Sequence, residues 1–189
     1  AVAGEGGRGG GEQGRDTAGE AGGVEVGREV PGTGGGGGGW VGDEGRGALA
    51  DRAFTGYKKP AVHLKMAGGT GTNGKTTTAC LLKHICESAG LRSGLIGTVR
   101  YQIADRVLPA TRTTPESVDL QELLAQMVNA GCKAAVLEVS SHALAQERTR
   151  GLQWDVAIFT NLTQDHLDFH RTMEDYFEAK ASLFTSLTS

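Results

Sequence analysis

From Ala61 onward, short apolar runs alternate with longer stretches in which apolar residues recur at helical spacing. That alternation predicts a mixed α/β fold, a parallel sheet whose strands are joined by crossover helices. AVHLKMA, residues 61–67, reads as a strand, and Thr76–Ala89 as a helix stopped by Gly90. SGLIGTV, Ser93–Val99, reads as a second strand. In TTPESVDLQELLAQMVNAG, residues Leu120, Leu123, Leu124, Met127 and Val128 fall on one helical face ahead of Gly131, with Thr114 as the expected cap and Pro115 in the first helical position. AAVLEV, Ala134–Val139, is nearly all apolar, as a strand covered on both faces must be, and a further strand is expected around Val156–Phe159. The stretch from Met173 to Leu187 reads as helical.

The stretch before Ala61 behaves differently. Of the chain's 31 glycines, 22 precede Tyr57, and the run from Gly34 to Gly39 is unbroken. With few apolar residues and no sustained period, such a segment buries too little surface to offset chain entropy. The expected division is therefore a disordered glycine-rich segment over 1–59 and a folded α/β segment over 60–189. The chain begins at Ala rather than Met, which reads as processing or a fragment.

Charge and cysteine content narrow the function classes. A formal charge of −3 and no lysine or arginine cluster argue against nucleic-acid binding. Three cysteines without a CxxC pair point to a reducing compartment, with cytoplasm as the default. No apolar run approaches the roughly 20 residues that span a bilayer, so no membrane role is expected.

The chemistry concentrates in GGTGTNGKTTT, Gly68 to Thr78, between an expected strand and an expected helix. Glycines there allow close backbone approach, and the unpaired N–H groups at a helix N-terminus converge on an anion. Gly69, Gly74, Lys75 and Thr76 meet the GxxxxGK[ST] pattern, in which the lysine reaches the outer phosphates and the hydroxyl meets Mg²⁺. A carboxylate to orient the metal is expected at the end of a neighbouring strand, and Glu138, closing AAVLEV, is the candidate.

TGTNGKTTT, TRTTP, EVSSHALAQER, TNLTQDHLDFH and EAKASLF, in this order and spacing, resemble the Mur ligases of peptidoglycan synthesis. TGTNGKT is shared with folylpolyglutamate synthases, whereas TTP followed by EVSSHAL and a Gln-x-Arg is similar to the ligases that add the third residue of the stem peptide. The resemblance spans about Lys65 to Phe184, and it implies an ATP loop over Gly71, Thr72, Asn73, Gly74, Lys75, Thr76 and Thr77. It also implies substrate contacts at Thr113, Thr114, Ser140, Gln146 and Arg148, and metal or catalytic roles for Thr76, Glu138, His166 and Lys180, with Lys180 carbamylated and Lys75 stabilising the transferred phosphoryl group. Two positions depart from the family: Gly69 stands where a β-branched residue is usual, which would loosen the strand end, and Arg112 where Asn is frequent. His142, His170, Asp165 and Asp168 are not counted as ligands.

The implied activity is ATP-dependent amide ligation. A γ-phosphoryl group passes to the D-glutamate carboxylate of UDP-N-acetylmuramoyl-L-alanyl-D-glutamate, and the amine of meso-diaminopimelate or L-lysine then attacks the acyl phosphate. The family has three domains and is expected to act as a monomer, so this chain corresponds to part of the central one and is expected to bind nucleotide weakly and not to complete ligation alone. Rival readings are another superfamily ligase of the folylpolyglutamate type and a non-catalytic structural or regulatory homologue.

Overall fold

The computed structural model describes residues 43–188. Most of the expected disordered segment therefore lies outside the described residues, but its last part does not. Residues Asp43–Gly56 form a helix, α1, which packs against the later helix α3. Its buried residues Ala50 and Ala53 are small, so it docks closely while offering little of the bulky apolar pattern that marks a helix in sequence.

A single 3₁₀ turn at Pro60–His63 leads into β1, Lys65–Thr70. The strand thus begins later than its apolar run suggests, because the run's first half is spent on the turn. It continues through Gly69, which pairs with Glu138 on one side and Ile158 on the other. The loosening expected there does not occur, since a neighbouring strand holds the backbone on each side.

Next come α2, Lys75–Ser88, and β2, Ser93–Ile96. The strand stops short of Val99 and turns into a hairpin that the hydrophobic pattern did not show, β3 at Arg100–Ile103 and β4 at Arg106–Pro109. Then follow α3, Ser117–Asn129, and β5, Ala134–Glu138. The short α4, Ser141–Ala145, precedes β6, Val156–Phe159. The chain closes with α5, Leu167–His170, α6, Met173–Ala181, and a 3₁₀ turn at Ser182–Ser186.

One six-stranded sheet runs β4-β3-β2-β5-β1-β6. Strands β2, β5, β1 and β6 are parallel, and the β3–β4 hairpin adds antiparallel strands at one edge. Alternation along each parallel strand sorts side chains to two covered faces. Met66, Ile96, Ala135 and Leu137 join Leu120, Leu124 and Met127 of α3 in the larger core, while Ala67, Leu95 and Val136 meet Ala79 of α2 on the other side. Gly68 lets Trp154 lie against β1, since a Cβ there would sit 2.9 Å from its ring.

Helix α3 keeps its expected face but not its expected cap. Its N-cap is Glu116, with no side-chain cap bond, and Pro115 lies outside the helix. Thr114 is instead engaged across the sheet: its Oγ1 donates to the Glu138 carbonyl at 2.9 Å and accepts from Ser140 N at 3.0 Å. Satisfying the buried Glu138 carbonyl and the half-buried Ser140 N–H outcompetes capping the helix.

Candidate functional site

Parallel strands place all their C-terminal ends along one edge of the sheet, and the chemistry-bearing residues gather there. From β1 the chain passes through Gly71 (φ 141°) and Gly74 (φ 82°) into α2, so the first-turn amides of α2 have no helical acceptor and face the loop. Gly71 can bear no side chain, because a Cβ there would run into Thr160. The loop's backbone is held from the far side by the segment after β6. Thr72 N donates to Asn161 O at 2.9 Å, Asn73 N to Asn161 Oδ1 at 3.0 Å, and Thr160 Oγ1 to Asn73 O at 2.7 Å.

Lys75 arches over this loop, its Nζ donating to the carbonyls of Gly71 and Thr72, each at 2.8 Å. Burial lowers its pKa, against a smaller opposing pull from Glu138. Lys180 arrives from α6 and donates to the same Gly71 carbonyl at 2.9 Å. It is 1 % exposed, and burial, reinforced by the charge on Lys75, depresses it to about 8 from an ordinary 10.5, with Asp165 opposing. Two ammonium groups converging on one carbonyl make a place of concentrated positive potential.

Glu138 is the matching acid. It is 1 % exposed and ties three connections together, accepting from Thr76 Oγ1 at 2.9 Å, Thr98 N at 3.0 Å and Thr98 Oγ1 at 3.0 Å. Gly97 has no side chain where the carboxylate needs the space. A hard carboxylate oxygen beside a threonine hydroxyl at the mouth of a phosphate-type loop fits Mg²⁺. Among the described residues, however, no three His, Cys, Asp or Glu side chains are gathered as a metal cage. That suits a magnesium held partly by phosphates and water, which needs only one or two carboxylates.

His166 sits at the N-terminus of α5 with φ 53°, half-exposed, its ring 4.8 Å from that of His142 and 6.0 Å from that of Tyr176. Tyr176 links it to the rest: Lys180 Nζ lies 4.3 Å from the Tyr176 ring centroid, and the Tyr176 hydroxyl is 3.2 Å from Thr72 Oγ1. Lys75, Thr76, Glu138, His166 and Lys180 thus share one corner. His142 and His170, set aside in the sequence, join the same group of rings, the pKa of each lowered by burial first.

A second wall adjoins the first. Thr113 Oγ1 is 3.0 Å from Thr98 Oγ1, which joins it to Glu138. Arg148 Nη1 donates to Thr114 O at 3.0 Å, and its Nη2 bonds Gln146 and pairs with Glu116 at 3.1 Å. Ser140 caps α4 by accepting from Ala143 N. A cavity of about 290 Å³ opens here, lined by Arg46, Arg112, Glu116, Gln146 and Arg148. A larger one, about 700 Å³, lies at the opposite end of the strands beside Lys59, Lys65, Lys133 and Asp155, away from every residue singled out in the sequence.

Thr98, Thr160, Asn161, Thr163 and Tyr176 carry much of this arrangement and were not singled out in the sequence. Asn161 and its neighbours lie within TNLTQDHLDFH and were legible only as a motif; Thr98 gave no signal, since its partner is 40 residues away.

Residues 70–189 match the Mur ligase middle domain. This chain belongs to the Mur ligase family. It is 49 % identical over 145 residues to a UDP-N-acetylmuramoyl-L-alanyl-D-glutamate--2,6-diaminopimelate ligase of Geobacter metallireducens, covering 77 % of this chain and 28 % of that protein. It is 55 % identical over 130 residues to a ligase of the same name from Thermosynechococcus vestitus, covering 69 % and 26 %. To a UDP-N-acetylmuramyl-tripeptide synthetase of Deinococcus radiodurans it is 50 % identical over 141 residues, covering 73 % and 29 %. A solved UDP-N-acetylmuramoyl-L-alanyl-D-glutamate--2,6-diaminopimelate ligase superposes with a TM-score of 0.66 at 35 % identity, over 79 % of this chain and 31 % of that one. The Escherichia coli FolC structure solved with DHPP and ADP superposes at 0.52 with 24 % identity, over 73 % and 38 %, and shares the fold. The chain spans less than a third of the length of the diaminopimelate ligases and the tripeptide synthetase, and a match of 145 residues reaches back into α1, beyond the span over which the motifs alone show the resemblance.

Proposed function

We propose that this chain is the nucleotide-handling part of an ATP-dependent ligase of peptidoglycan synthesis, one that joins an amino acid to UDP-N-acetylmuramoyl-L-alanyl-D-glutamate through an acyl phosphate. One observation carries the reading: Lys180, 109 residues from Gly71 in sequence, is buried against the same loop carbonyl that Lys75 reaches. A buried amine is expensive unless a use compensates, and its depressed pKa makes the neutral form that reacts with CO₂ accessible near physiological pH. Carbamylation would convert it to an anion beside the Lys75 ammonium.

In this reading the α2 amides and Lys75 hold the phosphate chain, as preorganised donors whose positions are set before the substrate arrives. Thr76, Glu138, His166 and carbamylated Lys180 would hold Mg²⁺, which when bound supplies neutralisation of phosphoryl oxygens. Thr113, Thr114, Ser140, Gln146 and Arg148 would receive the muramoyl dipeptide, the Arg148 fork suiting a carboxylate. The names of the relatives favour 2,6-diaminopimelate over L-lysine as the incoming amine. No helix of the described residues is long and apolar enough to cross a membrane, and we assign the reaction to the cytoplasm, with a monomer as the acting unit.

The test is an NMR titration of the chain with Mg·ATP, a method that reads weak binding. Shifts should centre on residues 71–77 and Glu138, and Lys75→Ala should weaken the response at least tenfold. Shifts confined to the cavity at the other end of the strands would overturn the assignment.

A further inference from the structure

Tyr176 lies on α6 one turn before Lys180 and is fully buried. A buried tyrosine usually serves packing and sends its hydroxyl to whichever acceptor is near. Here the hydroxyl ends on the phosphate loop. Thr72 Oγ1 already accepts from Thr163 N at 3.0 Å and spends its own proton on Thr163 O at 3.2 Å, which leaves Tyr176 as the donor in the 3.2 Å pair. The face of the same ring meets Lys180 Nζ at 4.3 Å, an arrangement in which the π system attracts the ammonium. His170, itself buried, packs against it with centroids 5.2 Å apart and the rings tilted by 43°, which backs the ring on another side. One side chain thereby grips the loop with its hydroxyl and the loop's distant lysine with its face.

We propose that Tyr176 is a positioning residue that sets Lys180 and the phosphate loop in register, the hydroxyl fixing Thr72 and the ring holding Lys180 over the Gly71 carbonyl. Its functional consequence rests on the phosphate-loop reading above; its structural content does not. The two halves separate by substitution. Tyr176→Phe keeps the ring and loses the hydroxyl, whereas Tyr176→Leu loses both.

Three readouts on the whole chain decide it. In hydrogen exchange without nucleotide, Tyr176→Phe should speed exchange of the Thr72 and Asn73 amides at least threefold while the β1 and β5 amides stay as they are. In NMR, the ring-current shift on the Lys180 ε-methylene protons should persist in Tyr176→Phe and vanish in Tyr176→Leu. In the Mg·ATP titration, Tyr176→Phe should weaken binding about threefold, Thr72→Val, which also loses both Thr163 bonds, by more, and the double variant no further than Thr72→Val alone, as a shared hydrogen bond requires. Unchanged loop exchange in Tyr176→Phe, or effects of the two substitutions that multiply, would overturn the proposal. If the unsubstituted chain shows no nucleotide shifts, the phosphate-loop reading falls, and the exchange and ring-current results still decide the role of Tyr176.

Discussion

The two ends of the parallel strands carry similar residue types and use them in opposite ways. At the N-terminal end, Lys65 pairs with Asp155 at 2.8 Å with the lysine side chain 74 % exposed. At the C-terminal end, Glu138 and Lys180 are each 1 % exposed and held by hydroxyls and backbone. Water screens the first pair, so its net contribution is small, whereas each buried charge carries a desolvation cost that only well-placed partners offset. The same sheet therefore has one end where charge is tolerated and one where charge is concentrated. Cost, more than residue identity, marks the working end.

Removing Glu138 should produce the largest contrast. Glu138→Leu strands the Thr98 amide and two threonine hydroxyls, and should lower unfolding free energy by about 2 kcal/mol in denaturant titration while abolishing any Mg²⁺ dependence of nucleotide binding. A variant of unchanged stability would mean that the carboxylate is not the tie among its three connections.

Lys180 gives a smaller effect of opposite sign and a distinctive pH dependence. The folded chain releases this proton near 8, the unfolded chain near 10.5. Between those values the unfolded state binds more protons, so the lysine's contribution to stability rises with pH; below about 8 its cost is constant. Lys180→Met should therefore be more stable than the parent at pH 7, by roughly 1 kcal/mol, with the gap closing from pH 8 toward 10.5 in thermal melts. A gap that does not vary with pH would locate the depressed proton on another group.

The smallest change is expected at the other end. Lys65→Ala should leave the denaturant midpoint almost unmoved, and less moved still in high salt. A loss comparable to that of Glu138→Leu would erase the distinction between the two ends.

Legibility in the sequence follows a similar division. The α3 face, the β5 run and the Gly71–Thr77 loop were readable because their signals are local: periodicity, apolar continuity and contiguous loop chemistry. The β3–β4 hairpin was not. Its strands RYQI and RVLP are short and half polar, and the turn between them places Ala104 at φ 51° where a glycine or asparagine would have announced it. Helix α1 was lost among glycines because its buried residues, Gly47, Ala50 and Ala53, are all small. At the site, Thr114 shows the limit of local rules, since a good cap residue was claimed by a carbonyl 24 positions away.

Gly94 and Met127 occupy each other's space, the thioether lying where a β2 side chain would otherwise stand. Met127 is fully buried, so peroxide can reach this sulfur only while α3 lifts from the sheet. Met127 is in effect a chemical clock: its rate of oxidation, relative to an exposed methionine, counts how often that face of the molecule opens.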